Sequence, residues 1–206
     1  NPEFWSGQAP VLFPIVGCLR NGTATIGDNK TCSFGRHGLA RRLEFDLVSS
    51  SDTSVTYSLK ANDKTKEQYP YDFELQMTYE LTEHGVKVSH TVINHDSVVM
   101  PYCVGGHPAF NCPVFENESF EDYIVEFEQP ENAACAQLTE DGLINNADRV
   151  SVLENEAVIP VRHSLFYKDA LVFDALKSRK VALKHKKTGH GILVSFPDFD
   201  YLGVWS

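Results

Sequence analysis

The sequence predicts an all-β fold of antiparallel strands, closed as a sandwich or a barrel. Three observations predict it. Apolar and polar residues alternate over several short runs, glycine-containing turns join such runs, and helix signals are few. The first alternating run is Leu43-Glu44-Phe45-Asp46-Leu47-Val48, the pattern of a half-buried strand. Ser54 to Leu59 repeats it. Phe73-Glu74-Leu75-Gln76-Met77-Thr78-Tyr79-Glu80-Leu81 is the cleanest case, and Val86 to Ile93 follows it. Between these two, Thr82-Glu83-His84-Gly85 predicts a hairpin loop. Further strands are expected at Tyr123 to Glu128, Ala170 to Phe173, Val181 to His185 and Gly191 to Phe196, with a hairpin turn at Lys187-Thr188-Gly189-His190. Two short helices are expected. One runs over Asn62 to Tyr69, capped by Asn62 or Asp63 and stopped by Pro70; the other is a single turn at Ser164 to Tyr167.

With 206 residues, 42% of them hydrophobic, the chain can bury one sizeable core. No repeat, low-complexity tract or linker interrupts it, so residues 1–206 are read as one domain. Both ends read as cut: Tyr201 to Ser206 looks like a strand stopped in mid-course, and Pro10 to Val16 has no preceding strand to pack on. A net charge of −10 argues against nucleic-acid binding through the general field, yet permits a neutral small-molecule substrate. No apolar run is long enough for a membrane helix, and Asn1 to Trp5 lacks the pattern of a signal peptide. Cys18, Cys32, Cys103, Cys112 and Cys135 are scattered and form no C-x-x-C pair. They are read as reduced thiols of a cytoplasmic protein rather than a disulfide frame or a zinc site. Monomer and homodimer both stay open.

Chemistry concentrates in two segments. Gly105-Gly106-His107-Pro108-Ala109-Phe110-Asn111 follows an apolar run from Val98 to Val104. The glycines permit a sharp turn or a close approach, and Pro108 restricts His107 to an extended conformation. A histidine held in one pose can exchange a proton near neutral pH; a plain tight turn is the alternative. Gly35-Arg36-His37-Gly38-Leu39-Ala40-Arg41 has the same form, between a polar turn region and the strand from Leu43. Two positioned imidazoles and a carboxylate would suffice for proton transfers at a carbon–oxygen centre. The remaining histidines, His84, His90, His95, His163, His185 and His190, lack metal-ligand spacing and are read as structural or solvated. Glu116, Glu118, Glu121 and Asp122 read as a solvated acidic loop, and Lys184 to Lys187 as a solvated hairpin tip.

In order along the chain stand Asn1-Pro2-x-x-Trp5, Pro10-Val11-Leu12-Phe13-Pro14-Ile15-Val16-Gly17, His37-Gly38-Leu39-Ala40-Arg41 and the Gly105–Asn111 segment. This set resembles the aldose 1-epimerase (galactose mutarotase) family, and within it the LacX-like branch. The resemblance implies a large antiparallel β-sandwich, the galactose mutarotase-like supersandwich. It also implies interconversion of the α and β anomers of a free sugar without metal or organic cofactor. It makes His107 the general acid at the ring oxygen and His37 the second active-site histidine. Asp169, in Tyr167-Lys168-Asp169-Ala170-Leu171, takes the place of an aspartate that binds sugar hydroxyls. Arg41 matches the arginine of a His-Gly-Phe-Ala-Arg pattern, with Leu39 in place of Phe. Asn111 and Phe110 join Arg41 and Asp169 as expected sugar contacts; Trp5, Phe166 and Trp205 are further aromatic candidates. Two departures stand out. The family's general base, a glutamate in a Glu-Pro-Trp-like segment after the Leu-Gly-x-Trp strand, falls after Trp205 and outside this sequence. Cys18 stands where relatives often carry arginine, and a thiol cannot replace a bidentate guanidinium. A non-catalytic sugar-binding or sensing protein, a phosphosugar epimerase and a cupin-like metal enzyme are the other readings left open.

Overall fold

A computed structural model describes Trp5 and residues 7–206. The chain divides into two compact units, residues 1–108 and 109–206, each with its own core. Every strand pairing described is antiparallel.

The first unit holds β1 (Val11–Leu12), β2 (Thr23–Ile26), β3 (Lys30–Ser33), β4 (Asp46–Ser50), β5 (Ser54–Lys60), α1 (Asp63–Gln68), β6 (Phe73–Thr82), β7 (Gly85–Asn94) and β8 (Gly105–Gly106). β4 to β7 form one sheet in chain order. β6 supplies most of its core because its odd-numbered side chains, Phe73, Leu75 and Met77, all point inward and are buried. Phe13 packs against Phe73 at 5.0 Å and edge-on to Tyr69 at 5.9 Å. As expected, Glu83 and His84 alone connect β6 to β7, with Thr82 paired to Gly85. The short helix also forms where its cap signals put it. Asn62 Oδ1 accepts from Thr65 N–H at 3.1 Å and Thr65 Oγ1 accepts from Asn62 N–H at 2.8 Å, a reciprocal cap.

Two expectations shift. The strand read from Leu43 begins at Asp46, and all its residues are exposed, Leu47 by 60%. It is an edge strand with a register break between Leu47 and Ser49, so alternation there does not report a buried face. The polar turn region ahead of His37 is a hairpin, β2 paired to β3, turning through Gly27 and Asn29 at positive φ.

Among the described residues, Glu74 is the one buried charge of this unit's core. Gln76 Nε2 (2.7 Å) and Ser58 Oγ (2.8 Å) donate to its Oε1, and His95 Nε2 lies 3.2 Å from Oε2. These contacts, Gln76 first and then Ser58, outweigh burial and hold its pKa at about 2 rather than 4.5. A depressed carboxylate pKa stabilises the fold above its unfolded value, and that contribution disappears as pH falls through the folded one. Stability should therefore drop between about pH 4.5 and 2. Denaturant titration across this range should show a shallower drop for Glu74→Gln; an unchanged profile would remove Glu74 from the account.

The second unit holds β9 (Tyr123–Leu138), β10 (Ile144–Pro160), β11 (Leu171–Phe173), β12 (Lys180–His185), β13 (Gly191–Ser195) and β14 (Leu202–Val204). Its main sheet runs β10-β9-β12-β13, while β11 pairs with β14. Tyr123, Phe127, Leu153 and Phe173 anchor the core. The helical turn expected near Ser164 is a 3₁₀ turn at His163–Phe166. β9 continues ten residues past the expected Glu128, and its partner β10 was not anticipated. Among the described residues, no helix is long and apolar enough to cross a membrane.

Candidate active site

Seventy residues separate His37 from His107 in sequence, and β1 brings them together. On one side β1 pairs with β8, Val11 to Gly106 and Leu12 to Gly105, so the chain leaves β1's flank directly into His107. The glycines of β8 make no left-handed turn. They lie extended, and a Cβ on Gly105 would come to 3.2 Å from Val16 Cγ2, a tight contact that the valine side chain would have to yield to.

On the other side, the segment after β1 holds the His37 loop. Phe13 O accepts from both Leu39 N–H (2.9 Å) and Ala40 N–H (3.2 Å). His37 N–H donates to Gly17 O at 2.7 Å, and Gly17 N–H donates back to His37 Nδ1 at 3.0 Å. This reciprocal pair fixes the ring and its tautomer: Nδ1 accepts, so the neutral imidazole carries its proton on Nε2. His37 adopts a positive φ of 67° and Gly38 one of 75°. A Cβ on Gly38 would lie 2.2 Å from Phe13 O, so only glycine lets the loop close on this carbonyl.

The two imidazoles meet edge to face, with ring centroids 5.4 Å apart. Trp5 stacks on His107 at 5.3 Å, with the ring planes 22° apart. Both histidines are half-buried. Burial lowers the His107 pKa; the charge of Arg41, in the 3₁₀ turn Ala40–Arg42, lowers it further, against a backbone hydrogen bond that raises it. Burial and Arg41 thus disfavour the imidazolium form. Arg41→Met should therefore raise the His107 pKa, read from its ring resonances in an NMR titration; a constant or lower value would show that Arg41 does not act on it.

The structure thus brings His37, His107, Arg41 and Trp5 into the first unit. Cys18 directly follows the glycine that holds His37 and is half-buried. Phe110, Asn111 and Asp169 lie in the second unit, and all three are exposed. Asp169 has a φ of 75°, and its Oδ1 accepts from Ala170 N–H at 2.7 Å.

His90, which the sequence reading takes as structural or solvated, borders the β8 glycines. It sits on β7 opposite Met77, and a side chain on Gly106 would contact its ring at 3.8 Å. Burial lowers its pKa. The available signal was its position in phase with Val86, Val88 and Val92 on one strand face. The same unit carries a groove of about 320 Å³ lined by Val11, Phe45, Tyr57, Met77 and Tyr79. Neither histidine lines it, and its apolar walls do not suit a polyhydroxylated ligand.

Comparison with known proteins gives a consistent result. The family model described as aldose 1-epimerase matches residues 2–205. The chain is 42% identical over 212 aligned residues to the plasmid-encoded protein LacX of Lactococcus lactis subsp. lactis, covering all of this chain and 71% of that protein. It is also similar to the solved structure of a galactose mutarotase related enzyme from Lactobacillus acidophilus (TM-score 0.91, 32% identity, 100% of this chain and 68% of that one). A galactose mutarotase-like protein from Lactobacillus casei matches with a TM-score of 0.85 at 32% identity, covering 96% of this chain and 67% of that one.

Proposed function

The chain belongs to the aldose 1-epimerase family, and on that premise we propose that it interconverts the α and β anomers of a free aldohexose. Opening the ring passes the proton of the anomeric hydroxyl to a general base, the glutamate that the resemblance places after Trp205, turns the C1–O1 bond into a carbonyl and breaks the C1–O5 bond, while O5 gains a proton. Rotation about C1–C2 and reclosure on the other carbonyl face give the second anomer. In this reading His107, as the imidazolium, gives a proton to O5 on opening and recovers it on closing; burial and Arg41, by lowering its pKa, make that cation the stronger acid. His37, through Nε2–H, holds the negative charge growing at O5. Each such transfer by a positioned side chain is worth about 10²–10⁴-fold.

The observation that carries the reading is the His37–His107 pair itself. Two imidazoles lie 5.4 Å apart, one with its tautomer set by Gly17 and the other with its pKa lowered by burial and Arg41. Asp169, Asn111 and Phe110 are assigned sugar contacts on the family resemblance alone. The reading also treats residues 1–206 as one functional domain of a cytoplasmic protein with reduced thiols and a neutral sugar as its partner. Polarimetry of freshly dissolved α-D-glucose and α-D-galactose tests it. The full-length protein, with the glutamate that the resemblance places after Trp205, should speed the approach to the equilibrium rotation for at least one of them. Sugar binding without acceleration would instead support a sugar-binding protein on this fold.

A further inference from the structure

A second cluster lies in the 109–206 unit, and the proposed sugar chemistry makes no use of it. His185 ends β12 and His190 precedes β13, joined by the turn Lys186 to Gly189. His185 N–H donates to His190 O at 2.8 Å, which sets the two residues opposite each other across the hairpin. Their rings stack at 5.2 Å and within 8° of parallel. Glu118, from the loop ahead of β9, reaches the same point: its Oε1 lies 3.0 Å from His190 Nε2. One donor atom from each of Glu118, His185 and His190 falls within 4.8 Å of the other two. We propose that these three residues bind a divalent transition-metal ion of the zinc class and so staple the β12–β13 hairpin to the segment ahead of β9.

The surrounding atoms support ligation. Thr188 Oγ1 lies 2.8 Å from His185 Nδ1 and 2.7 Å from His190 Nδ1. A hydroxyl oxygen has two lone pairs, so it can accept from both Nδ1–H groups at once. That tautomer leaves both Nε2 lone pairs for a metal, as outer partners of ligating histidines ordinarily do. The Tyr123 hydroxyl donates to Glu118 and orients its carboxylate. His185 is buried, and its Nε2 makes no hydrogen bond among the described residues. Two imidazoles and one carboxylate form a donor set that zinc takes readily, with a fourth position left to water. Ligand atoms around four-coordinate zinc sit ~3.4 Å apart, so Glu118 and His190, now 3.0 Å apart, part slightly while His185, whose donor atom lies within 4.8 Å of theirs, closes in. The 3.2 Å contact from Thr188 N–H to His185 Nδ1 is given up in the process.

The test is calorimetric titration of ZnCl₂ into the full chain after EDTA treatment and removal of the chelator. One ion per chain should bind, with a rise in melting temperature. His190→Ala and Glu118→Gln should abolish this binding, with circular dichroism confirming their fold. Thr188→Ala, which removes only the outer partner, should weaken it by about 10–100-fold. His84→Ala, at an exposed hairpin tip of the first unit, should bind as the parent does. Absence of a one-to-one phase in the parent chain would overturn the proposal, as would binding that survives in both His190→Ala and Glu118→Gln.

Discussion

Replacing His107 with asparagine should lower the rate of anomer interconversion by about 10²–10⁴-fold and leave the fold intact. Asparagine has nearly the reach of histidine and can keep a hydrogen bond, but it cannot exchange a proton near neutral pH. The loss should fall on kcat, because an interaction made mainly as O5 gains its proton contributes little to ground-state binding. His107 is only half-buried, with Trp5 stacked on its ring and His37 edge-on to it, and belongs to neither core cluster. A His37→Ala, His107→Asn double variant should lose little more than the single variant if the two imidazoles act as a unit. Full activity in His107→Asn would dismiss it as the acid.

Gly38→Ala should destabilise the protein by about 3 kcal/mol, combining a strained positive φ with a steric clash. The added methyl would lie 2.2 Å from Phe13 O and 2.9 Å from Pro14 N, both backbone atoms that cannot swing aside. Relief requires moving the His37 loop off β1, with loss of the Leu39 and Ala40 hydrogen bonds to Phe13 O. For a chain of this size the melting temperature should fall by about 10 °C, measurable by calorimetry. Gly35→Ala, three residues away with nothing within 4 Å of its Cβ position, is the control and should cost far less. Equal melting temperatures for the two variants would show that the loop is not pinned as described.

The strands at 54–60, 73–82 and 85–94 were legible because one face of each alternates cleanly, and α1 was legible because Asn62 and Pro70 bracket it. β10 was not. Four register shifts against β9 and a left-handed Asn155 break its period, and only Leu153 and Ile159 are buried along it. The hairpin of β2 and β3 is too short and too polar to declare itself, despite the turn at Gly27. At the candidate site, the two glycine–histidine segments stood out by composition. Their meeting did not follow from spacing, because it depends on β1 bonding to both of them; only the family resemblance pointed to it. The Glu118–His185–His190 cluster was hidden for a similar reason. A five-residue separation means nothing for ligation until hairpin pairing sets the two imidazoles side by side.

The account rests on His37 and His107 acting together on one sugar ring. Saturation transfer between the α- and β-anomeric proton signals of an equilibrated hexose, recorded with the full-length protein, measures that exchange without a coupled assay. Irradiating one anomer should attenuate the other in the presence of the parent protein and not with His107→Asn at equal concentration. Transfer of equal strength from the His37→Ala, His107→Asn double variant would contradict the assignment.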